Sequence, residues 1–416
     1  MLSKVMKSKT DEKSIIRAMF EEGCKMSRIY GTENVYDFSL GNPNVPAPEA
    51  LKKSIVSILD SEDPLKIHGY MQNAGFNETR QAFADIENRR TGRKAPYRLD
   101  NIIVTTGAAA AINIVLKTIL DENDEVVVFA PYFLEYRNYI DNYRGRTIVI
   151  PPDENKGFIP DHEKLQERIT NRTKAVIINN PNNPTGVIYP KDELIKIADV
   201  LKAKQNEYGT DICLISDEPY RELNCCYMDD GSMQKTPVVH LPDIYDNTVV
   251  CYSFSKSFSV PGERIGYILV PDSVAESQRF IEAATVANRI MGFVNAPSLI
   301  QLAVARCSHE TVDAGYYAEN GKLLYDALSD MGYECVRPQG AFYLWVKVPK
   351  TLLKAENIMS EEEGERIFAE RLKHERILVT PGKAFEGEGY VRISYCVKRE
   401  TIEGALPGFC KVIKEI

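Results

Sequence analysis

From about residue 100 onward the chain repeats one pattern, a short apolar run followed by a turn and then a stretch with helical spacing. Asn101 to Thr105 reads as a strand and leads into a helix that starts in Gly107-Ala108-Ala109-Ala110-Ala111. Glu125 to Ala130 is a compact apolar strand stopped by Pro131, and Lys174 to Asn179, Ile212 to Ser216 and Thr248 to Tyr252 are further strands of the same kind. Lys191 to Lys204 carries the apolar spacing of a helix between two of them. Buried runs that alternate with helices fit few architectures. They predict an α/β fold with a mainly parallel sheet covered by helices on both faces. In such sheets ligands gather beyond the carboxyl ends of the strands. The residues just past each apolar run are therefore the ones that carry the functional argument.

The last hundred or so residues change character. Long helical patterns (Ser308 to Met331, Ser360 to His374) flank short strands (Gly340 to Val346, Tyr390 to Tyr395), which reads as a smaller α+β domain. The expected division is a large domain over residues 51–305 and a small one over 306–416, with residues 1–50 belonging to the small domain. A chain of 416 residues is long enough for two such cores. Net charge of -8 argues against a nucleic-acid footprint. No stretch has the length and apolarity of a membrane span, and the lysine-bearing start, Met1 to Ser14, lacks the apolar core of a secretory signal. Nine cysteines without a C-x-x-C pair read as reduced thiols of a cytoplasmic protein. Five scattered histidines give no metal-ligand spacing, so no metal is expected.

The densest chemistry lies in Ser253-Phe254-Ser255-Lys256-Ser257-Phe258-Ser259-Val260-Pro261-Gly262-Glu263-Arg264, directly after the buried run Thr248 to Tyr252. A lysine at the end of a buried strand is badly placed for a solvated charge. It is well placed to lose its proton and attack a carbonyl. Arg264, beyond a Pro-Gly turn, could clamp a dianionic phosphate, and Ser253 offers a hydroxyl to the same group. A reactive amine beside a phosphate clamp is what pyridoxal phosphate needs. The bland reading, a surface lysine near an unrelated arginine, does not account for the Ser, Lys, Pro-Gly and Arg in this order.

Four other sites fit that cofactor. Gly107, Ala108 and Ala109 open a helix, where free backbone N–H groups bind phosphate and small side chains let it approach. Phe133, past the strand end at Pro131, could cover an aromatic ring. The run Asn179-Asn180-Pro181-Asn182-Asn183-Pro184-Thr185-Gly186 makes a rigid turn, from which Asn183 could hydrogen-bond the ring oxygen. In Asp217-Glu218-Pro219-Tyr220, the carboxylate could pair with the pyridinium nitrogen and keep the ring an electron sink, and Tyr220 could donate to the ring oxygen. Taken alone, the first two are common structural features. An Asp-Glu pair after a strand also suits a nucleotide hydrolase, but no G-x-x-x-x-G-K-[ST] loop accompanies it.

Taken in order, N-P-T-G, D-E-P-Y, S-F-S-K-S-F-S-V-P-G-E-R-I-G-Y and a late R-I-S resemble the class I/II aminotransferases of fold type I. The resemblance runs from about Gly41 to the end. It implies a pyridoxal phosphate-dependent transaminase in which Lys256 carries the cofactor as a Schiff base and later shuttles the substrate Cα proton. It places Asp217 on the ring nitrogen and Asn183 and Tyr220 on the ring oxygen. Ser253, Ser255, Arg264 and the Gly107–Ala109 turn fall on the phosphate, and Phe133 takes the ring-stacking place that relatives often fill with Trp or Tyr. Arg392 would hold the substrate α-carboxylate as a bidentate fork. Gly41 would approach the substrate through its backbone, and Phe342 would line the substrate mouth. Tyr70, in Gly69-Tyr70-Met71-Gln72-Asn73-Ala74-Gly75, matches a tyrosine that reaches the phosphate of the neighbouring subunit, which implies a homodimer. Met71 replaces the usual proline of that loop.

The substrate side is less marked. Arg289 lies near the region where aspartate-specific relatives carry a second, distal-carboxylate arginine, but its register does not match cleanly, and a helix-surface charge is the simpler reading. Aspartate, alanine and aromatic amino acids remain candidate donors and 2-oxoglutarate a candidate acceptor. Two further functions remain in view: a β C–S lyase on the same fold and a ligand-sensing regulatory protein.

Overall fold

The computed structural model describes residues 1–11, 15–228, 230–355 and 358–415. Its centre is a sheet of strands β1 (Ile102–Thr105), β2 (Glu125–Phe129), β3 (Arg146–Ile150), β4 (Thr173–Asn179), β5 (Cys213–Asp217), β6 (Thr248–Ser253) and β7 (Gly266–Leu269). Their order across the sheet is β1-β7-β6-β5-β4-β2-β3. Every pair from β6 to β3 is parallel, and β7 runs antiparallel to both of its neighbours. The fold is α/β with a mainly parallel sheet, as the alternating pattern requires.

Alternate side chains on each strand go to opposite faces. Val126, Val128, Ile177 and Ile215 pack with the helices Ala108–Ile119 and Ser277–Ile290. Val127, Val176, Ile178 and Leu214 pack with the helix Lys191–Tyr208 on the other side. Two strands escaped the sequence pattern. β3 is an edge strand whose first residue is exposed and whose next three are only partly buried, so it lacks a clean apolar run. β7 is short and follows the Arg264 turn without a helix between, which breaks the alternation.

A second sheet is built from β8 (Cys335–Val336), β9 (Tyr343–Lys347), β10 (Thr380–Pro381) and β11 (Tyr390–Ser394), in the order β8-β9-β11-β10 and antiparallel throughout. It shares a core with the helices Ala314–Asp330, Glu361–His374 and Arg399–Lys414. The helical pattern expected from Ser308 starts only at Ala314. There Asp313 caps the Gly315 N–H, and the Val312 N–H is already bonded to the Ser257 carbonyl at 2.8 Å. Near the start of the chain, Tyr36–Asp37 pairs with Ile377–Leu378 beside this second sheet. Lys9 reaches across to Asp141 at 2.9 Å. Among the described residues no helix is long and apolar enough to cross a membrane.

Candidate active site

β6 delivers the lysine. Ser253, its last residue, caps the short helix Phe254–Ser257 by accepting the Ser255 N–H at 3.2 Å. Phe254 and Phe258 are buried and anchor the turn, leaving Lys256 turned into the space between the two sheets. Its Nζ donates to the Gly41 carbonyl at 2.6 Å and lies 5.3 Å from the centre of the Phe342 ring. Burial pulls the ammonium down to about 8, and the charges of Arg392 and Arg264 add to this against an opposing effect of Cys396. Desolvation therefore brings the amine close to the neutral, nucleophilic state before any ligand arrives.

Strand register assembles the candidate phosphate cradle. Gly266 of β7 lies between Ser253 and Thr105, so the turns after β6 and β1 become neighbours. A side chain at Gly266 would collide with the Tyr252 carbonyl and stand 3.0 Å from the Gly107 Cα. Gly107, at φ 86°, precedes the helix Ala108–Ile119, whose first N–H groups have no partner within the helix. Arg264, itself left-handed at φ 51°, holds the Pro261 carbonyl at 2.9 Å and the Thr106 carbonyl at 3.2 Å. A Cβ at Gly107 would stand 2.8 Å from its Nη2. Ser253 and Ser255 hydroxyls are paired at 2.7 Å at the same end of the sheet. Serine hydroxyls, helix N–H groups and a guanidinium thus converge, a donor set that fits a phosphate dianion.

β4 and β5 supply the opposite end. Asn179 and Asp217 are register partners, and the Asn179 amide reaches the Asp217 carbonyl at 3.0 Å and its Oδ2 at 3.5 Å. Asn179 also accepts the Asn183 N–H at 2.8 Å and so shapes the turn after β4. Tyr136 donates to Asp217 Oδ2. Asp217 Oδ1 is buried with no hydrogen-bond partner. Burial raises this carboxyl to about 7, aided by the charge of Glu218 and opposed by the Tyr136 hydrogen bond. An orphaned buried carboxylate oxygen is costly unless a cation or donor comes to it. A protonated ring nitrogen is such a donor, and the pyridoxal ring fits this end as the phosphate fits the other.

Arg392 comes from the second sheet. Its Nη1 donates to the Asn183 side-chain oxygen at 2.9 Å and its Nη2 to the Ser39 carbonyl at 2.8 Å. Its Nε is buried without a partner. The guanidinium lies between the rings of Tyr343 at 4.5 Å and Phe385 at 4.6 Å. Tyr220 is buried, and its hydroxyl is 2.8 Å from that of Tyr343. A Cβ at Gly41 would run into the Tyr343 hydroxyl.

The expected residues differ in how they gather. Lys256, Gly41, Asn183, Arg392 and Tyr220 form one connected cluster through the contacts just described. Phe342, expected at the substrate mouth, is 0% exposed; it packs edge-on against Tyr220 at 5.6 Å and forms a wall behind Lys256. The ring that reaches into the cluster is its neighbour Tyr343. Phe133 lies edge-on to Tyr136 at 5.7 Å, one hydrogen bond from Asp217. Tyr70 is 98% exposed, in a loop held from behind by Asn295, which donates to the Gln72 carbonyl at 2.9 Å. Arg289 is exposed at a helix end and donates to Asn73 of that loop at 3.2 Å.

Sequence reasoning missed Tyr136, Tyr343, Asn179 and the Ser39 carbonyl. Asn179 and Tyr343 stood inside motifs already singled out. Tyr136 had no local signal, because its partner Asp217 is distant in sequence.

A buried amine, an unpartnered carboxylate and a phosphate cradle at the carboxyl ends of a mainly parallel sheet define an enzyme that works through pyridoxal phosphate. Residues 32–408 match the family described as aminotransferase class I and II, and the chain belongs to that family. It is 29% identical to the aromatic-amino-acid aminotransferase 2 of Thermococcus litoralis, covering 92% of this chain and 93% of that protein. A probable aspartate/prephenate aminotransferase of Aquifex aeolicus is 31% identical, with 92% of each covered. The crystal structure of an amino transferase from Eubacterium rectale superposes with a TM-score of 0.90 at 39% identity, covering 100% of this chain and 99% of that one. The protein is a pyridoxal phosphate-dependent transaminase.

Proposed function

We propose that this transaminase moves the amino group of an L-amino acid, drawn from aspartate, alanine and the aromatic amino acids, to a 2-oxo acid such as 2-oxoglutarate. The observation that carries the site assignment is Lys256, a buried amine with its pKa drawn down to about 8, held at the Gly41 carbonyl and flanked by the charges of Arg392 and Arg264. The related enzymes named for aspartate/prephenate and for aromatic amino acids support that range of donors.

Gly107, Ala108, Ala109, Ser253, Ser255 and Arg264 hold the phosphate. Asp217 meets the ring nitrogen, Asn183 and Tyr220 the ring oxygen, and Phe133 covers the ring face. Bound there, the cofactor supplies an electron-withdrawing ring that makes the α C–H of the amino acid acidic. Arg392 grips the α-carboxylate, and its unpartnered Nε and the flanking Tyr343 and Phe385 rings set the angle of the fork. The carboxylate is thereby fixed, and the α C–H comes within reach of the Lys256 amine, which takes its proton. In the cofactor-free chain the Gly41 carbonyl accepts a hydrogen bond from the Lys256 amine and keeps it aimed into the site.

Residues 51–305 act as the cofactor lobe. Residues 306–416 with 1–50 supply Arg392 and Gly41 and close over the substrate. The working unit is a homodimer in which Tyr70 reaches the phosphate of the partner subunit. Its 98% exposure in a braced loop supports this.

The test is the absorption spectrum of the purified protein, loaded with pyridoxal phosphate and titrated with single amino acids. Conversion of the cofactor to pyridoxamine phosphate, with one equivalent of the matching 2-oxo acid, is expected for aspartate, alanine or an aromatic donor. Release of pyruvate and ammonia without that conversion would identify a lyase. An unchanged spectrum with all three donor classes would remove the proposed substrate range.

A further inference from the structure

Tyr343 opens β9 and meets Tyr220, Arg392 and Gly41 of the cluster. It stands opposite Ser394 in β11, two residues from Arg392, and the Arg392 guanidinium lies over its ring at 4.5 Å. Its ring and hydroxyl fill the space a Cβ on Gly41 would need. The hydroxyl is 2.8 Å from that of Tyr220. Among the described residues, each of these two hydroxyls has the other as its one hydrogen-bond partner, and both side chains are buried.

Two hydroxyls in contact share one hydrogen bond, so one donates and the other keeps a proton to give elsewhere. When Tyr220 donates to the phenolic oxygen of the cofactor, its lone pair is left to accept. The Tyr343 proton then has one acceptor within reach, and that is Tyr220. The Arg392 charge above the Tyr343 ring draws density from the phenol and improves its O–H as a donor. Hydrogen bonds in such a chain polarise one another, by roughly 10–30% per bond.

We propose that Tyr343 is a positioning residue of amino transfer, donating to the Tyr220 hydroxyl and so directing and strengthening the hydrogen bond that Tyr220 gives to the phenolic oxygen of the cofactor. This rests on the reading of Tyr220 made above. A donor at the phenolic oxygen stabilises its negative charge most when the nitrogen joining Lys256 to the cofactor carries no proton. A weaker donor therefore raises the pH at which that nitrogen loses its proton.

The experiment is a pH titration of the cofactor absorption in the loaded resting enzyme, for the parent, Tyr343→Phe, Tyr220→Phe and the double variant. Tyr343→Phe removes one oxygen and keeps the ring beneath Arg392. Its titration midpoint is expected to move up by about half a pH unit, and that of Tyr220→Phe by more, as befits the loss of one indirect and one direct donor. The double variant should match Tyr220→Phe alone, because Tyr343 acts through Tyr220. A Tyr343→Phe midpoint equal to the parent's overturns the proposal, and so does a shift that adds to that of Tyr220→Phe. A Tyr220→Phe midpoint equal to the parent's overturns the placement of Tyr220 itself. Should Tyr343→Phe fail to fold, 3-fluorotyrosine placed at Tyr343 keeps the shape and makes a stronger donor. It must move the midpoint down, and an unmoved midpoint there also overturns the proposal.

Discussion

Single residues of this site were legible where the chain marks them with a turn. Lys256, Arg264, Asn183 and Asp217 each lie at or beyond the end of a buried strand and carry their own local signature, so inspecting strand ends singled them out. Tyr136 and the Ser39 carbonyl carry no such mark, because they become important only when folding brings them to Asp217 and Arg392. Asp217 also gives the residue-scale prediction. In the cofactor-free protein burial raises its carboxyl from the ordinary 3.8 to about 7. The folded state then keeps a proton that the unfolded chain gives up as pH rises through the acid range. Its contribution to stability is thus full below about pH 3.8 and is lost as pH rises through about 7. Asp217→Asn is isosteric with the neutral form and cannot ionise. Its thermal midpoint should gain on the parent's between pH 4 and pH 7 and hold a constant lead above that. Thermal unfolding of both cofactor-free proteins across this range decides it, and a difference independent of pH would remove the assignment of a raised carboxyl.

At the scale of elements, β1, β2, β4, β5 and β6 were legible from their apolar runs, and the half-exposed edge strand β3 and the antiparallel β7 were not. An edge strand has one side facing solvent, and β7 matters for what it lacks: Gly266 lets the turns after β1 and β6 meet. The segment after β5 shows why an acidic pair was ambiguous in sequence. Asp217 and Tyr220 turn toward the site, whereas Glu218 and Arg221 turn away into a buried ion network. Arg221 donates to Glu87 at 2.7 Å and to Glu218 at 3.2 Å, and Arg90 reaches Glu218 at 2.8 Å. Burial alone would raise the Glu87 carboxyl, yet Arg221 and Arg90 bring it down to about 2. The network ties the helix Asn77–Thr91 to the strand end that carries Asp217 and Tyr220. Removing one partner leaves an uncompensated charge in the core, which typically costs about 3–5 kcal/mol. Arg221→Met should therefore lower the denaturant midpoint strongly without changing the slope of the transition. Replacing Glu87 by Gln in the same chain should return part of the loss, since the stranded carboxylate is then gone. Equal midpoints for Arg221→Met and the parent would show that the network contributes nothing net.

For the whole molecule, the two-sheet architecture followed from the change of pattern late in the chain, whereas the proposed second subunit has only the Tyr70 loop as its sign in the sequence. An interface has no periodicity of its own; it shows as side chains that the monomer leaves bare. Tyr70 is 98% exposed, and the proposed dimer would cover it. If Tyr70 serves the partner's phosphate, a site takes its lysine from one chain and its tyrosine from the other. Two defective chains, Tyr70→Ala and Lys256→Ala, can then repair each other. Random reassortment of an equal mixture makes half of the dimers mixed, and each mixed dimer has one complete site, so about a quarter of parental activity should return. The assay is run after unfolding and refolding the chains together, at a cofactor concentration too low to fill the Tyr70→Ala homodimer. Activity equal to the sum of the two homodimers would mean that each Tyr70 serves its own chain. Recovery near a quarter, lost again when both substitutions are placed in one chain and mixed with itself, is what a tyrosine crossing between subunits requires.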